Sequence, residues 1–365
     1  MELKNIAIVG AGGNIGKHLV PLLLSSNRFH ITALTRGTYH PPDPRVRVIA
    51  VDYASRASLA DALRGQDAVL SLVPGGQVRW DAQKRLVDAS VDAGVRLFVP
   101  SEFVTDVLTP QYAVFPASFV GDKVALRGYL EELAEEGRIA WAALNGGPFF
   151  DMCECFVLFV KQPAARLQHE EKKKEREGGR EKGDTLLLRK LESLIPGCMT
   201  LGLLGGPAGF DIARRKATIY GTGNNLACWT PLPTIAAALL NMLLHPSRIA
   251  NKAVFICGVK GVTQNALLAA LEAELGESFD VERVDIKKMK AEALELLEKG
   301  EVKKAMRGLT LSGQFNEEGS AANFWDKVEN ELVGVEPVGV REAVRQTLEA
   351  ANLKERVTSD SWDNE

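Results

Sequence analysis

The chain has few cysteines and no long apolar run. Five cysteines among 365 residues are too few for a disulfide framework, so a reducing compartment is expected. Cys153 and Cys155 form the only close pair, and no second cysteine or histidine pair stands at zinc spacing, so we expect buried or incidental thiols and no metal. No apolar run reaches the about 18 residues of a membrane span, and the first residues lack the layout of a signal peptide. A cytoplasmic protein without a membrane partner is expected.

An excess of charge of one sign is also missing. Lysine and arginine number 44 against 47 acidic residues, which gives a net charge of −3 and a pI of about 6.1. This balance argues against nucleic-acid binding driven by overall charge, so no direct nucleic-acid partner is expected. With 46% hydrophobic and 25% charged residues, the composition is typical of a globular protein. The length favours two domains, or one large domain with additions.

Short apolar runs alternate with amphipathic stretches over residues 1–152, and this alternation is typical of βαβ units. The pattern predicts an α/β fold with a doubly wound parallel sheet of the Rossmann type. The predicted strands are 3–9, 31–35, 46–51, 68–72, 96–99 and 139–144. The predicted helices are 14–25, 55–63 with Ser55 as N-cap, 80–93 ending before Gly94, and 118–136.

The remaining chain divides into three parts. Residues 153–199 carry a mixed-charge run without apolar periodicity, which is typical of a disordered insertion. Residues 200–355 are predicted to form a smaller α+β substrate lobe that shares strands with the sheet. Its predicted strands are 217–220 and 253–257, and its predicted helices are 232–244, 264–275 and further segments to about residue 352. Residues 356–365 are predicted to be a flexible tail.

A glycine-rich turn follows the first predicted strand and opens the first helix. Gly10, Gly13 and Gly16 have the spacing that permits a sharp turn, a close approach of backbone to a pyrophosphate, and tight packing of helix on strand. Asn14 and Ile15 lie at the helix N-terminus, where free N–H groups attract phosphate. The context predicts a dinucleotide site, and the alternative is a tight turn with a purely structural role.

The end of the second predicted strand carries Thr35 and Arg36, with no acidic residue where a carboxylate would bind the ribose of NAD. A guanidinium at this place can hold the 2′-phosphate, which predicts NADP(H) as the cofactor. An exposed loop arginine is the alternative. We expect Asp52 to flank the adenine, and Val73 and Pro74 to line the path of the dinucleotide.

Several strings resemble the NmrA-like and isoflavone reductase-like branch of the atypical short-chain dehydrogenases. They are GAGGNIG at 10–16, LTRG at 34–37, VPSEFVTD at 99–106, Lys123, NGGPFFD at 145–151, and KATIYGTGNN at 216–225 with TPLPTIAAAL at 230–239. The resemblance implies a Rossmann domain that binds NADP(H) and a C-terminal lobe that closes a cleft. Pro148, within NGGPFFD, is expected to contact the cofactor.

The resemblance implies that Lys123 contacts the nicotinamide ribose and acts as the acid or base for the substrate. Phe119 stands where ordinary short-chain dehydrogenases have a tyrosine four residues before the lysine, so a phenol cannot supply the proton. A surface lysine is the alternative for Lys123. We expect Glu102, at the end of the fifth strand, either to order the site or to be an ordinary strand-end carboxylate.

The predicted function is reduction of a small aromatic or conjugated carbonyl-type substrate by NADPH. The expected substrate walls are Phe103, Phe149, Phe150 and Phe210. The alternative is a non-catalytic redox sensor of the NmrA type that binds NAD(P), because the family contains both classes. The residues leave a homodimer open.

The insertion departs from the family pattern, in which a PFFD-like strand end leads almost directly into a segment like the one at 201–212. Both flanks match the family when they are joined. Residues 155–198 are therefore also interpreted as translated non-coding sequence, such as a retained intron. A uniform presence of these codons in the mature transcript would contradict this interpretation.

Overall fold

A computed structural model of the chain describes residues 1–37, 39–73, 80–112, 120–151, 208–212 and 214–360, with side chains as far as Ala351. Pro74, Phe119, the predicted insertion and Cys153, Cys155 and Cys198 lie outside these residues. Cys228 and Cys257 are described, and both carry buried free thiols. No helix in the described part of the chain combines the length and the apolar character needed to cross a bilayer.

A seven-stranded parallel sheet forms the centre of the molecule, with the strand order β10-β6-β5-β4-β1-β2-β3. Its strands are β1 Asn5–Val9, β2 His30–Thr35, β3 Arg47–Ala50, β4 Ala68–Ser71, β5 Leu97–Val99, β6 Ala140–Asn145 and β10 Lys252–Phe255. The helices between the first six strands are α1 Asn14–Ser25, α2 Arg56–Leu63, α3 Trp80–Asp92 and α4 Asp122–Glu135. This confirms the predicted doubly wound architecture.

Two hydrophobic cores cover the faces of the large sheet. Leu19 and Leu23 of α1 are buried on one face, and Leu126 and Leu130 of α4 are buried on the other. Strands that are apolar on both sides, such as β4 with the sequence AVLS, are typical of a parallel sheet between two helix layers.

The C-terminal lobe has two small three-stranded sheets, with the orders β13-β11-β9 and β12-β8-β7. Its strands are β7 Phe210–Asp211, β8 Lys216–Tyr220, β9 Ala227–Trp229, β11 Val259–Val262, β12 Asp280–Val284 and β13 Val338–Gly339. Its helices are α5 Leu232–Leu244, α6 Pro246–Ile249, α7 Gln264–Leu275, α8 Ile286–Glu298, α9 Val302–Phe315 and α10 Val340–Asp360.

The lobe is joined to the large sheet at two places. Strand β10 pairs in parallel with β6, with Val254 opposite Leu144, and helix α5 packs against α1. Asp151 Oδ1 accepts a hydrogen bond from Leu232 N at 2.8 Å, so a residue that follows β6 caps the start of α5. The two parts of the chain therefore share one sheet and one core.

The region after residue 275 differs from the prediction of helices alone. Residues 280–284 form β12, whose sequence DVERV has four exposed residues and one half-buried residue, so no apolar alternation marks it. The last helix reaches Asp360, within the range for which the sequence predicts a flexible tail.

Candidate functional site

The strand order of the large sheet reverses at β1, which lies between β2 and β4. In open parallel sheets, ligands bind in the crevice beyond the carboxyl ends of the strands at such a point. The turn after β1 and the end of β4 meet here, because a Cβ atom added to Gly10 would lie 2.7 Å from Leu72 O. The sheet topology therefore places the glycine-rich turn at the expected binding edge.

Gly10, Gly13 and Gly16 differ in how much room the turn leaves for a side chain. Gly10 has a φ of +88°, which favours glycine, and a Cβ on Gly16 would collide with Ala11 O. A Cβ on Gly13 would lie 3.2 Å from Gly10 O, which is tight but close to ordinary contact. Gly10 and Gly16 are thus required by the fold itself, whereas a Cβ at Gly13 would need only a small shift of its neighbour.

Gly13 is also the N-cap residue of α1 and supplies no capping side chain. The first turn of this helix contains Asn14, Ile15 and Gly16 and carries no acidic residue. A helix N-terminus without a side-chain cap offers its N–H groups and its partial positive charge to an anion. The turn fits the pyrophosphate of a dinucleotide.

The end of β2 places Arg36 in solvent. Among the described residues it forms no ion pair or hydrogen bond, while its charge acts on the neighbouring Tyr53. Tyr53 donates a hydrogen bond from its hydroxyl to Leu34 O at 2.9 Å. Burial raises the pKa of Tyr53 to about 12, against the opposing effect of Arg36. Arg36 is therefore an exposed guanidinium that has no ion pair with any other described residue, as a 2′-phosphate site requires.

Four further residues that are expected to contact the cofactor have defined places. Thr35 Oγ1 accepts a hydrogen bond from Gly37 N at 3.1 Å, and Asp52 Oδ1 accepts one from Ala54 N at 2.9 Å, so both side chains stabilise turns at strand ends. Val73 O accepts a hydrogen bond from Ser101 Oγ at 2.6 Å. Pro148 is buried and its carbonyl accepts a hydrogen bond from Thr230 N at 3.2 Å. Their contacts with a cofactor stay predictions.

Lys123 lies in the first turn of α4 and is 5% exposed. Its Nζ donates hydrogen bonds of 2.6 Å to Ser101 O and of 2.6 Å to Glu102 O, just beyond β5. Burial lowers the pKa of Lys123 to about 8, and the negative charge of Glu102 opposes this shift. The surface-lysine alternative is therefore wrong, and the amine has a pKa suited to proton transfer near neutral pH.

A buried charged network lies beside Lys123. Glu102 and Arg127 are 2% and 4% exposed, and Arg127 Nε donates to Glu102 Oε1 at 2.9 Å, while its Nη2 pairs with Glu102 Oε2. Asn145 Nδ2 donates to Glu102 Oε2 at 3.0 Å. Glu102 was predicted as a candidate, but Arg127 and Asn145 were missed. The available indication was that Arg127 stands four residues after Lys123 and thus on the same helix face.

The four phenylalanines that are expected to line the substrate site lie in two different parts of the structure. Phe103 follows the carbonyls that hold Lys123, and Phe149 is half-buried at the point where it bridges to Thr230. Phe150 is 0% exposed and Phe210 is 1% exposed, and both belong to the core of the C-terminal lobe. Phe150 packs edge to face on Trp229, with ring centroids 6.1 Å apart. Phe150 and Phe210 therefore pack in this core, and the prediction that they line the substrate site is wrong.

Residues 2–145 match the model of the NmrA-like family. This match covers 144 of the 365 residues, which is less than half of the chain. The match includes the glycine-rich turn, Arg36, Lys123 and Asn145.

Two curated proteins are similar to this chain over different lengths. "Oxidoreductase aprR" of Aspergillus flavus is 28% identical over 302 residues, which cover 82% of this chain and 83% of the fungal protein. "Isoflavone reductase homolog IRL" of Zea mays is 36% identical over 140 residues, which cover 34% of this chain and 44% of the maize protein.

Solved structures share the fold of this chain. "AtPrR2 with NADP+ and (+)pinoresinol" has a TM-score of 0.62 at 18% identity and covers 95% of this chain and 99% of its own. At this identity the likeness shows the fold alone. Chemistry has to be argued from the residues of this chain.

Proposed function

We propose that the protein is an NADPH-dependent reductase of a small aromatic or conjugated carbonyl compound. The observation that carries the proposal is the buried amine of Lys123, which has a pKa of about 8 and lies at the binding edge of the sheet. A lysine that only covered the surface would not need burial, two backbone acceptors and a lowered pKa. The fungal relative named an oxidoreductase supports the reaction class.

The cofactor fits the residues that are present. Gly13 and the first turn of α1 would hold the pyrophosphate, and Arg36 would hold the 2′-phosphate. Val73 and Pro148 lie at the ends of β4 and β6, where the nicotinamide half would pass. When it is bound, NADPH supplies a hydride to an electrophilic carbon of the substrate.

Lys123 supplies the proton in this proposal. The ammonium donates one proton to the substrate oxygen on which negative charge develops, and Ser101 O and Glu102 O keep its nitrogen at a fixed position. Phe149, which is half-buried, would contact an aromatic substrate, whereas Phe103 is only 7% exposed within the core of the large sheet. The neighbour described with NADP+ and (+)pinoresinol supports an aromatic substrate class.

The experiment replaces Lys123 with methionine, which keeps the length of the stem and removes the charge and the three donors. Turnover of conjugated aromatic carbonyls, followed by the absorbance of NADPH, should fall by about 10²–10⁴-fold, as expected for the loss of a positioned proton donor. The affinity for NADPH should fall far less, because Gly13 and Arg36 remain.

Lys84→Met is the matched control, because Lys84 lies on α3 and pairs with Asp88 at 2.9 Å and not with the carbonyls of residues 101 and 102. Its turnover should equal that of the parent. A parent protein that binds NADPH tightly, reduces no conjugated carbonyl and loses only affinity in Lys123→Met would instead be a redox sensor of the NmrA type.

A further inference from the structure

The carboxylate of Glu102 connects three elements of the large sheet. It follows β5 in the chain, forms an ion pair with Arg127 of α4, and accepts a hydrogen bond from Asn145 at the end of β6. Arg127 stands one helical turn after Lys123, so the helix that carries the amine is held by the same carboxylate. Asn145 Oδ1 has no hydrogen-bond partner within the described ranges although it is buried.

Such a network is a costly way to stabilise a fold. Two buried charges lose their hydration, and an apolar pair of similar volume often stabilises as well or better. The unpartnered oxygen of Asn145 adds to this cost. A role in positioning the amine of Lys123 would explain why Glu102, Arg127 and Asn145 are buried in the core.

The backbone next to Glu102 supports this role. Phe103 has a φ of +40°, which is unfavourable for a bulky residue, and its N–H donates to Leu144 O at 3.2 Å. Ser101 Oγ is tied to Val73 O at 2.6 Å. The turn formed by residues 101–103 is therefore held in a strained conformation, and in this conformation two successive carbonyls face Lys123 Nζ.

We propose that Glu102, together with Arg127 and Asn145, is a positioning residue for Lys123. Its buried carboxylate fixes the turn 101–103 so that both carbonyls hold the amine, and its charge keeps this amine protonated in the core. This inference rests on the proposed function, in which Lys123 is the proton donor.

The charges around Lys123 give the proposal a measurable consequence. Glu102 is the charged group whose field favours the ammonium of Lys123, and Arg127 pairs with that carboxylate from the same helix. Asp106 and Glu131 act on Arg127. Removal of the Glu102 charge should lower the pKa of Lys123 further, by about 1 unit or more for a neighbouring opposite charge.

The test measures the titration of Lys123 directly, by NMR of carbon-13 at lysine Cε in the full chain, with the signal assigned from Lys123→Met. Glu102→Gln is the first variant. Since it leaves Arg127 buried without its partner, the double variant Glu102→Gln with Arg127→Gln removes both charges and keeps two amides of similar shape. We expect the pKa of Lys123 to fall in both variants, and more in the single one, where the cation of Arg127 remains.

Glu131→Gln is the matched control, because it removes an exposed carboxylate from the same helix and should leave the pKa of Lys123 unchanged. A pKa of Lys123 unchanged in the double variant would overturn the proposal, and so would an equal fall in the control. In the parent and the variants the alkaline limb of the pH profile of turnover should move with the NMR titration. A parent without turnover would contradict the proposed function. The NMR titration of Lys123 would still decide this inference, because it does not depend on turnover.

Discussion

Arg36 follows β2 on the exposed rim of the binding edge and forms no ion pair with another described residue. A 2′-phosphate would give it a charge-assisted contact that NADH does not provide. NADPH should therefore bind at least about 10-fold more tightly than NADH, which corresponds to about 1.4 kcal/mol. Arg36→Asp should reverse the order, as measured by quenching of the fluorescence of the two reduced cofactors.

Arg28→Asp is the control for this charge reversal, because Arg28 is exposed and precedes β2 at the opposite end of the strand. It should keep the preference of the parent. Equal titration curves of the parent with NADPH and NADH would contradict the assignment of Arg36.

Burial of Lys123 also makes a prediction for stability. The pKa of Lys123 is about 8 in the folded state and about 10.4 in an unfolded chain. Between these values the unfolded state binds more protons, so the free energy of unfolding rises with pH on account of this group. The parent should gain about 2–3 kcal/mol relative to Lys123→Met between pH 7 and pH 10.

Urea unfolding of both proteins at the two pH values measures this gain, and groups that titrate alike in both cancel from the difference. A constant difference between the two proteins would mean that Lys123 has an ordinary pKa. The proton donor proposed above would then lack its physical basis.

The sequence indicated some members of the site more readily than others. Gly10 and Arg36 could be predicted because each stands at a fixed distance from the first strand. Lys123 became a candidate only through the family resemblance. Arg127 and Asn145 were not predicted, since a buried ion pair forms between elements that are distant in the chain, and the position of Arg127 one turn after Lys123 does not by itself mark it as buried.

At the scale of elements, the glycine-rich turn allows two roles to be tested apart. Gly13 is expected to contact the pyrophosphate, and Gly16 is required by the packing of the backbone. A valine at position 13 would add branches beyond a Cβ that the backbone nearly accommodates, at 3.2 Å from Gly10 O. Gly13→Val should abolish NADPH binding and leave the circular dichroism and the Tm close to those of the parent, because its branches occupy the space of the pyrophosphate.

Gly16→Ala is the comparison variant, since its Cβ would collide with Ala11 O. It should lower the Tm as well as the affinity. Normal quenching of NADPH fluorescence in Gly13→Val would show that the turn has only a structural role.

The helices were predicted more accurately than the strands. Predicted helices 14–25, 232–244 and 264–275 have the bounds of α1, α5 and α7, because long amphipathic periods and flanking residues such as Thr263, the N-cap of α7, act locally. Strands β7, β9, β11 and β13 have two to four residues each, too few for an apolar period. Pairing with distant strands decides their conformation.

At the scale of the whole molecule, the two lobes are linked beside the site as well as through the sheet. Asp106, which follows the turn 101–103, forms an ion pair of 2.6 Å with Lys327 of the C-terminal lobe. Gln111 Nε2 donates a hydrogen bond to Gly319 O at 2.9 Å. These contacts join the lobe to the segment that follows Glu102 and Phe103 along the chain.

The same lobe holds both ends of the segment between Asp151 and Ala208. Phe150 and Ala208 are each 0% exposed in one core. Phe150 N donates to Thr230 O at 3.0 Å, and Gln264 Nε2 donates to Ala208 O at 2.8 Å. Each end is thus fixed by contacts that do not involve residues 155–198.

Deletion of residues 155–198 should therefore leave the protein folded and able to bind NADPH. The connection between Asp151 and Ala208 would shorten from 56 to 12 residues, which changes the free energy of closure by only about 1.4 kcal/mol. The Tm should therefore stay the same or rise slightly, and the Kd for NADPH should be unchanged. Calorimetry and fluorescence titration of the parent and the deletion variant measure both quantities. If these residues are translated intron, the mature transcript should also lack their codons. An insoluble deletion variant, or one that no longer binds NADPH, would show that the segment is part of the fold.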